Sequence, residues 1–243
     1  MGNKGSSRHR KRLAAPIPYR IPRKHGVFTV NVSPGPHPLK RSVPLAIIVR
    51  DMLKKAETYK EARRIIKAGN VKVDHRIRKD PRFPVGIMDV LAFETIDEFY
   101  RMIPFKGKRQ IRLKQAAQDE VKTKLCRIEG KTSLKKNIVQ LNLHDGRNIQ
   151  LEADEGNKYK TRGTLEISLP KQEILSYFPF EAGQSSIVIG GTNVGTIATL
   201  ESFEKRIGRG KSVAVLKTED DETVRTSLEQ IFILGSKMDL VKE

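Results

Sequence analysis

Tryptophan is absent from this sequence, and cysteine occurs once, at Cys126. A single cysteine excludes a disulfide framework within the chain and suits a reducing compartment, which predicts a cytoplasmic location. No run of about 18 apolar residues could span a bilayer, and no apolar segment follows the basic N-terminus as a secretory signal requires, so we expect no membrane partner. Aromatic residues make up only 6% of the chain, which favours several small domains over one large core.

The pattern of an enzyme is also missing. Three of the five histidines lie in the Pro-rich first forty residues, and neither His75 nor His144 has a neighbouring Ser or Cys with a third orienting residue. One cysteine and scattered histidines cannot supply four zinc ligands. The glycine-rich stretch 190–195 is followed by a β-branched run, without the helix or the Lys-Ser/Thr pair of a phosphate-binding loop. We predict no catalytic residue, no metal, no cofactor and no small-molecule substrate.

Positive charge is abundant and unevenly distributed. Lys and Arg number 47 against 28 Asp and Glu, which gives a net charge of +19. Residues 1–42 carry ten of these cations and no acid, whereas residues 177–243 have a net charge of −2. Nucleic acid is the commonest partner of so basic a chain, because each neutralised phosphate releases a counterion. The gradient predicts that the N-terminal end is buried in polyanion and that the C-terminal end faces solvent or protein.

Residues 1–42 have the composition of an extended arm. They contain six of the 12 prolines, which remove amide donors and disfavour helix. Apolar residues are few and show no helical period, so we expect the other domains to fold without this segment. A disordered tail and a nuclear-localisation-like run at 8–12 are alternatives; we favour an RNA-binding arm because a merely flexible tail does not need six prolines. The candidate RNA contacts are Arg8, Arg10, Lys11, Arg12, Arg20, Arg23, Lys24, Lys40 and Arg41.

Residues 43–106 show the clearest helical pattern. Apolar residues from Leu45 to Leu53 fall on one helical face, and Ser42 is placed to cap that helix. A second helix is predicted from Thr58, which has capping-box spacing to Glu61, to a left-handed stop at Gly69.

Short strands are expected after these helices, at 71–73 and 88–93, with a polar turn at 74–79 between them. A basic helix face that continues into this strand and turn favours phosphate contact over a solvated surface. The candidate contacts are Arg63, Arg64, Lys67, Lys72, Arg76, Arg78 and Lys79.

The remainder of the chain is typical of β-structure. Val139, Leu141 and Leu143 alternate with polar residues, and an Asp-Gly turn at 145–146 predicts a hairpin. A further strand is expected at 165–169. Short strands at 187–189, 196–200, 213–216 and 231–234 follow, and the acidic run 219–222 is expected to be a solvated loop.

Several stretches resemble known families. Residues 62–74, Ala-Arg-Arg-Ile-Ile-Lys-Ala-Gly-Asn-Val-Lys-Val-Asp, resemble the small RNA-binding module first known from bacterial small-subunit ribosomal protein four. Residues 183–200 resemble the KOW motif, a small SH3-like barrel whose turn often touches RNA, which adds Asn193 as a candidate contact. Together with Ser33-Pro-Gly-Pro-His37, Leu143-His-Asp-Gly-Arg-Asn-Ile149 and Leu228-Glu-Gln-Ile-Phe-Ile-Leu-Gly235, they resemble the archaeal and eukaryotic small-subunit ribosomal protein four-e family along nearly the whole chain.

This resemblance implies a structural, non-enzymatic constituent of the small ribosomal subunit that binds ribosomal RNA and adjoins other ribosomal proteins. It also implies an α+β multidomain fold with a basic extended arm at 1–42, a small helix–helix–strand RNA-binding module at 43–106, a β-rich central domain at 107–176 and a C-terminal SH3-like KOW barrel at 177–243. The early end after Gly235 resembles archaeal members. An RNA-modifying enzyme and a KOW-type transcription factor are the alternatives. The first needs a catalytic constellation, and the second does not explain the basic arm.

Overall fold

A computed structural model describes residues 9–107, 110–204 and 212–241. Within these ranges the chain forms three five-stranded antiparallel sheets and two short two-stranded ribbons, and its helices are few and short. None of the helices in the described part is long and apolar enough to cross a membrane. The predicted α+β class therefore holds in a form dominated by strands.

The N-terminal segment is folded against the rest of the protein. Strand β1 (Arg10–Lys11) pairs with β2 (Phe28–Thr29) to form a ribbon. Tyr19 and Ile21, only 2% and 7% exposed, enter the same apolar core as the helices that follow. The prediction of an extended arm outside the core is wrong for the described residues. Periodicity could not reveal this packing, because both side chains reach the core from irregular backbone.

The first helix begins where the apolar pattern predicts. Strand β3 (Val43–Pro44) pairs with β6 (Pro84–Val85), and α1 (Leu45–Ile47) continues directly into a π-helical turn at Ile48–Met52. The predicted Ser42 cap is wrong. The Ser42 hydroxyl instead donates to the Pro38 carbonyl at 3.0 Å, and the N-cap position belongs to Pro44, which has no side chain that can cap.

The second helix, α2 (Tyr59–Ala68), confirms its predicted boundaries. The Glu61 amide donates to Thr58 Oγ1 at 3.2 Å, and the Glu61 carboxylate accepts from the Thr58 amide at 3.4 Å. The helix ends at Gly69 with φ of 89°, a left-handed conformation that glycine adopts without steric cost. Ala62 and Ile66 are buried, which fixes the face that packs on the module.

The sheet of the module extends further than its predicted end at 106. Its strand order is β5 (Arg76–Ile77), β4 (Val71–Val73), β7 (Val90–Phe93), β8 (Glu98–Pro104) and β9 (Ile111–Gln115). Asp74 and His75, at φ of 49° and 61°, form the tight turn between β4 and β5. The predicted polar turn is therefore a short hairpin, and its Asp74 is buried rather than solvated.

The central sheet has the predicted alternation and hairpin. Its order is β12 (Asn148–Glu152), β11 (Ile138–Leu143), β10 (Thr123–Leu134), β13 (Thr164–Ser168) and β14 (Ile174–Phe178), and α3 (Ala153–Gly156) follows β12. Val139, Leu141 and Leu143 are buried on one face of β11, as expected from their period of two. Gly146, at φ of 75°, closes the turn by donating its amide to Leu143.

The C-terminal sheet buries residues on both of its faces. Its order is β18 (Thr223–Ser227), β17 (Val213–Lys217), β16 (Ile197–Glu204), β15 (Ser185–Val188) and β19 (Ile231–Ile233). Ile231 and Ile233 pack in a local core, whereas Phe232 between them joins the core of the module and the N-terminal segment. Because strand side chains alternate, one strand links two apolar clusters. The acidic run 219–222 is exposed, as predicted.

Candidate nucleic-acid interface and the buried ion network

The outer face of α2 carries the cations that are most accessible. Arg63, Arg64 and Lys67 are exposed, on the side opposite Ala62 and Ile66. None of the three forms an ion pair within the residues that the structure describes. Lys60 lies beside them along the same surface, although the sequence analysis did not select it. A capped helix therefore presents four exposed cations that form no ion pair in the described part of the chain, and only Arg64 interacts electrostatically with a neighbouring carboxylate, that of Glu61.

This basic face continues from α2 onto the neighbouring hairpin. A methyl group built on Gly69, at the end of the helix, would lie 3.4 Å from Ile77 Cγ2 and 3.8 Å from Lys79 Cε. Lys79 and Arg76 are exposed and have no ion pair in the described ranges. Of the predicted continuation, Lys79 lies beside the end of α2 and Arg76 is exposed on the same hairpin. We call Lys60, Arg63, Arg64, Lys67, Arg76 and Lys79 the α2 face.

Lys72 and Arg78, which the sequence predicted as RNA contacts, instead interact with other side chains of the protein. Lys72 forms an ion pair with Glu94. The Arg78 guanidinium lies 4.4 Å from the centre of the Phe83 ring, and burial lowers the pKa of Arg78. Both side chains are therefore less available for phosphate than the cations of α2.

The N-terminal cations divide into two groups. Lys11, Lys24 and Lys40 are exposed, with no ion pair in the described part of the chain. The arginines mostly hold the segment together by donating to nearby oxygens: Arg10 to Asn31, Arg12 to Pro22 and Phe28, Arg20 to Ile111, and Arg23 to Arg12, Ala15 and Pro16. Arg12 is only 8% exposed, so it is unsuited to phosphate contact. Arg8 lies outside the described residues.

Arg41 and Asn193 occupy less favourable positions for RNA. Arg41 is half-buried, and burial together with Arg127 lowers its pKa. Asn193 is exposed, but it shares a groove with the acidic side chains Asp220 and Glu222. Negative charge beside Asn193 disfavours an approaching phosphate.

Sequence reasoning missed a buried network of charges that joins the module, the central sheet and the N-terminal segment. Lys124 is 0% exposed, and its Nζ lies 2.6 Å from Asp74, 2.5 Å from Asp89 and 3.0 Å from Asp145. His37 Nε2 lies 2.9 Å from Asp89, and Arg147 pairs with Asp74 at 2.7 Å and with Asp145 at 3.1 Å. No local pattern could indicate it, because the partners are separated by up to 73 residues along the chain.

The electrostatics of the network favour its charged form. Burial alone would lower the pKa of Lys124, but the three surrounding aspartates raise it well above its usual value. Burial would raise the pKa of Asp145, whereas Lys124, His144 and Arg147 lower it to about 2. The pKa of Asp89 is lowered in the same way by His37 and Lys124, against the effect of burial. Such a fully paired cluster stabilises an arrangement of segments rather than performing chemistry.

Cys126, His144 and Asp145 bring potential metal ligands within 4.8 Å of one another. Their donor atoms are already engaged. Burial raises the pKa of the Cys126 thiol well above its usual value, and Asp145 is held by Lys124 and Arg147. His144 Nδ1 accepts from the Arg127 amide at 3.2 Å, which leaves Nε2–H to donate to the Ile87 carbonyl, also at 3.2 Å. Two adjacent cations further disfavour a metal ion here.

These features define a strongly basic, β-rich protein in which a capped helix presents a row of exposed cations without ion pairs in the described residues. Three family models match it in succession. The RS4NT (NUC023) domain matches residues 4–40, the S4 domain matches residues 43–91, and the Ribosomal family S4e matches residues 96–174.

Relatives extend this similarity over the whole chain. The protein is 46% identical to small ribosomal subunit protein eS4 of Ignicoccus hospitalis, over 98% of this chain and 95% of the relative. It is 43% identical to the protein of the same name from Methanocaldococcus jannaschii, over 100% of both chains. The crystal structure of 30S ribosomal protein S4e from Thermoplasma acidophilum superimposes with a TM-score of 0.68 at 26% identity, covering 81% of this chain and 96% of that one. The chain belongs to the ribosomal S4e family.

Proposed function

We propose that this protein is a structural constituent of the small ribosomal subunit, where it binds ribosomal RNA and supports subunit assembly and translation. The observation that carries the proposal is the α2 face, a set of exposed cations on a capped helix and the neighbouring hairpin that form no ion pair within the described residues. Full-length similarity to small ribosomal subunit proteins supports it. We assign the protein no catalytic step, because the group of potential metal ligands found in the described residues, Cys126, His144 and Asp145, is already engaged in internal contacts.

We assign a role to each of the predicted domains. The N-terminal segment 1–42 and the module 43–106 contact RNA, and the central domain 107–176 joins them to the C-terminal domain 177–243. Five antiparallel strands in the last domain are consistent with an SH3-like KOW barrel. Its net charge of −2 makes it the part best suited to neighbouring ribosomal proteins. Within the N-terminal segment, Lys11, Lys24 and Lys40 are the cations best placed for phosphate.

The α2 face gives the most direct test of RNA binding. Replacing Arg63, Arg64 and Lys67 together with Gln removes three charges and preserves helix propensity. Because these side chains are exposed, each change is expected to alter the free energy of unfolding by less than about 0.5 kcal/mol. Affinity for small-subunit ribosomal RNA should fall, and the slope of log affinity against log salt should become shallower by about 0.7 to 0.9 for each lost phosphate contact.

A matched control removes the same charge elsewhere. Lys135, Lys158 and Lys171 are exposed on the central domain, without ion pairs in the described ranges. Their triple replacement by Gln should change affinity and salt slope much less than the α2 triple does. Co-sedimentation with small subunits, measured for the wild type and both variants, connects binding with assembly. Full affinity and an unchanged slope in the α2 triple would contradict the proposed interface, and a wild-type chain that stays at the top of the gradient would contradict the proposed function.

A further inference from the structure

A cavity of about 370 Å³ opens between the N-terminal ribbon and the helical module. Two aromatic residues line it, Phe28 on β2 and Tyr59 at the start of α2, and they are 57% and 36% exposed. Two exposed aromatic side chains that line the same cavity form a local apolar surface, which can mark a binding site. We call this site the ribbon cavity, and its lining is completed by His9, Arg12, Thr29, Val30, Asn31, Arg50 and Arg82.

One residue that lines the ribbon cavity carries an unsatisfied polar group. The Thr29 hydroxyl is buried and has no hydrogen-bond partner among the described residues. Leaving such a group unpaired is costly, so buried hydroxyls normally have a partner. Asn31 beside it is held in place because its Oδ1 accepts from Arg10 Nε at 2.9 Å. A ligand with hydrogen-bonding edges could satisfy the Thr29 hydroxyl.

The charge around the cavity indicates the kind of ligand. Arg82 donates through Nε to the Asn31 carbonyl at 3.1 Å, and Arg50 pairs with Asp51 at 2.7 Å, so both guanidinium groups are fixed at the site. Tyr59 lies one helical turn before Arg63, on the same side of α2. The cavity therefore lies next to the unpaired cations of the α2 face. Exposed aromatics among arginines are the chemistry that binds unpaired bases and their phosphates.

We propose that the ribbon cavity binds an unpaired base of the ribosomal RNA, which stacks on Phe28 or Tyr59 while the adjoining backbone runs along the α2 face. The Thr29 hydroxyl takes a hydrogen bond from an edge of that base. This inference rests on the proposed function and specifies one contact within it. An apolar side chain of a neighbouring protein would fill the cavity without using the Thr29 hydroxyl or the fixed arginines, so the observations favour RNA.

The test separates stacking from charge. Full-length protein is bound to small-subunit ribosomal RNA, and the accessibility of each base to chemical modification is measured with and without protein. Wild type should protect one or a few unpaired bases that Phe28→Leu leaves reactive, with binding weaker by about 5- to 140-fold, the range expected for loss of base–aromatic stacking. Because stacking is not ionic, the salt slope of Phe28→Leu should match that of the wild type, unlike the slope of the α2 triple. Phe28→Tyr keeps the ring and should restore protection.

Two further variants keep the test decisive. Tyr59→Leu should weaken protection of the same bases, which preserves the test if Phe28→Leu fails to fold. Thr29→Val removes an unsatisfied hydroxyl and should raise the unfolding temperature of the free protein while it lowers RNA affinity, a combination that a purely structural residue would not give. The inference would be overturned if both Phe28→Leu and Tyr59→Leu kept the protections and the affinity of the wild type. It would also be overturned if these variants lost a cross-link to a neighbouring protein while their RNA protections stayed intact. If the wild type itself protects nothing, the proposed function fails instead.

Discussion

Lys124 illustrates how single residues hold this protein together. Its buried ammonium group contacts aspartates from the module and from the central hairpin, and one of them also pairs with His37 of the N-terminal segment. Removing one member of such a cluster leaves an uncompensated charge in the interior, which costs about 3 to 5 kcal/mol in comparable cases. The network therefore determines how the segments are placed, and its members are structural rather than RNA-binding residues.

The lowered pKa of His144, at the edge of this network, determines how we expect stability to depend on pH. Burial lowers its pKa from 6.5 to about 3, so between these values the unfolded chain holds a proton that the folded chain does not. Stability should therefore fall as pH falls through this window, by about 1.4 kcal/mol per pH unit for one proton. Below about pH 4 the aspartates add to the loss, because the folded pKa of Asp145 is about 2. Both effects have the same sign, so acid is expected to unfold the protein.

The variant His144→Gln isolates the histidine contribution. Gln offers a donor and an acceptor to the Ile87 carbonyl and the Arg127 amide but cannot take up a proton in this range. The free energy of unfolding, measured with denaturant from pH 7 to pH 4.5, should depend on pH with a slope smaller by about one proton. Equal slopes in the variant and the wild type would contradict the burial of a neutral imidazole at this position.

At the scale of elements, local signals decide what the sequence can predict. Helix α2 was predicted in full because its cap, its apolar period and its glycine stop lie within a dozen consecutive residues. Strands β8 and β10, which lie inside their sheets, and β9, β14 and β18, which lie at the edges, were not predicted. In β10 the consecutive residues 124–128 are all buried and include Lys124 and Arg127, so the strand shows no apolar alternation. The buried network and the ribbon cavity assemble residues distant in sequence, which no periodicity reveals.

The cap of α2 gives a prediction for this element. Thr58→Ala removes the side-chain acceptor for the Glu61 amide, and N-cap losses of this kind cost about 1 kcal/mol. Thr58→Ser keeps the hydroxyl and should stay close to the wild type. Denaturant unfolding of the two variants checks the difference. Because the α2 face depends on a well-formed helix, Thr58→Ala should also weaken RNA binding more than Thr58→Ser does. Equal free energies of unfolding in the two variants would show that the cap does not stabilise the protein.

For the whole molecule, the decisive feature is a core shared between sequence-distant segments. Tyr19 and Ile21 of the N-terminal segment lie in the same apolar cluster as Leu45 of the first helix and Phe232 of the last strand. Pro36 also approaches the central hairpin, because a methyl group built on Gly146 would lie 3.5 Å from its Cα. Segments predicted as separate domains therefore share buried surface.

From the sequence we expected the other domains to fold without the N-terminal segment. The shared core predicts instead that removing this segment destabilises the rest of the protein. Deleting residues 1–41 exposes the surface that Tyr19 and Ile21 cover and removes His37 from Asp89, so the remaining chain should unfold at a clearly lower temperature. The single change Ile21→Ala should lower the free energy of unfolding by about 2 to 4 kcal/mol, as is usual when a buried Ile becomes Ala. Deleting only residues 1–8 removes basic residues and spares this core contact, which makes it the matched control. Thermal unfolding compares the three chains. An unchanged unfolding temperature in the longer deletion would mean that the segment does not contribute to the core, and its cations would then act as an independent arm.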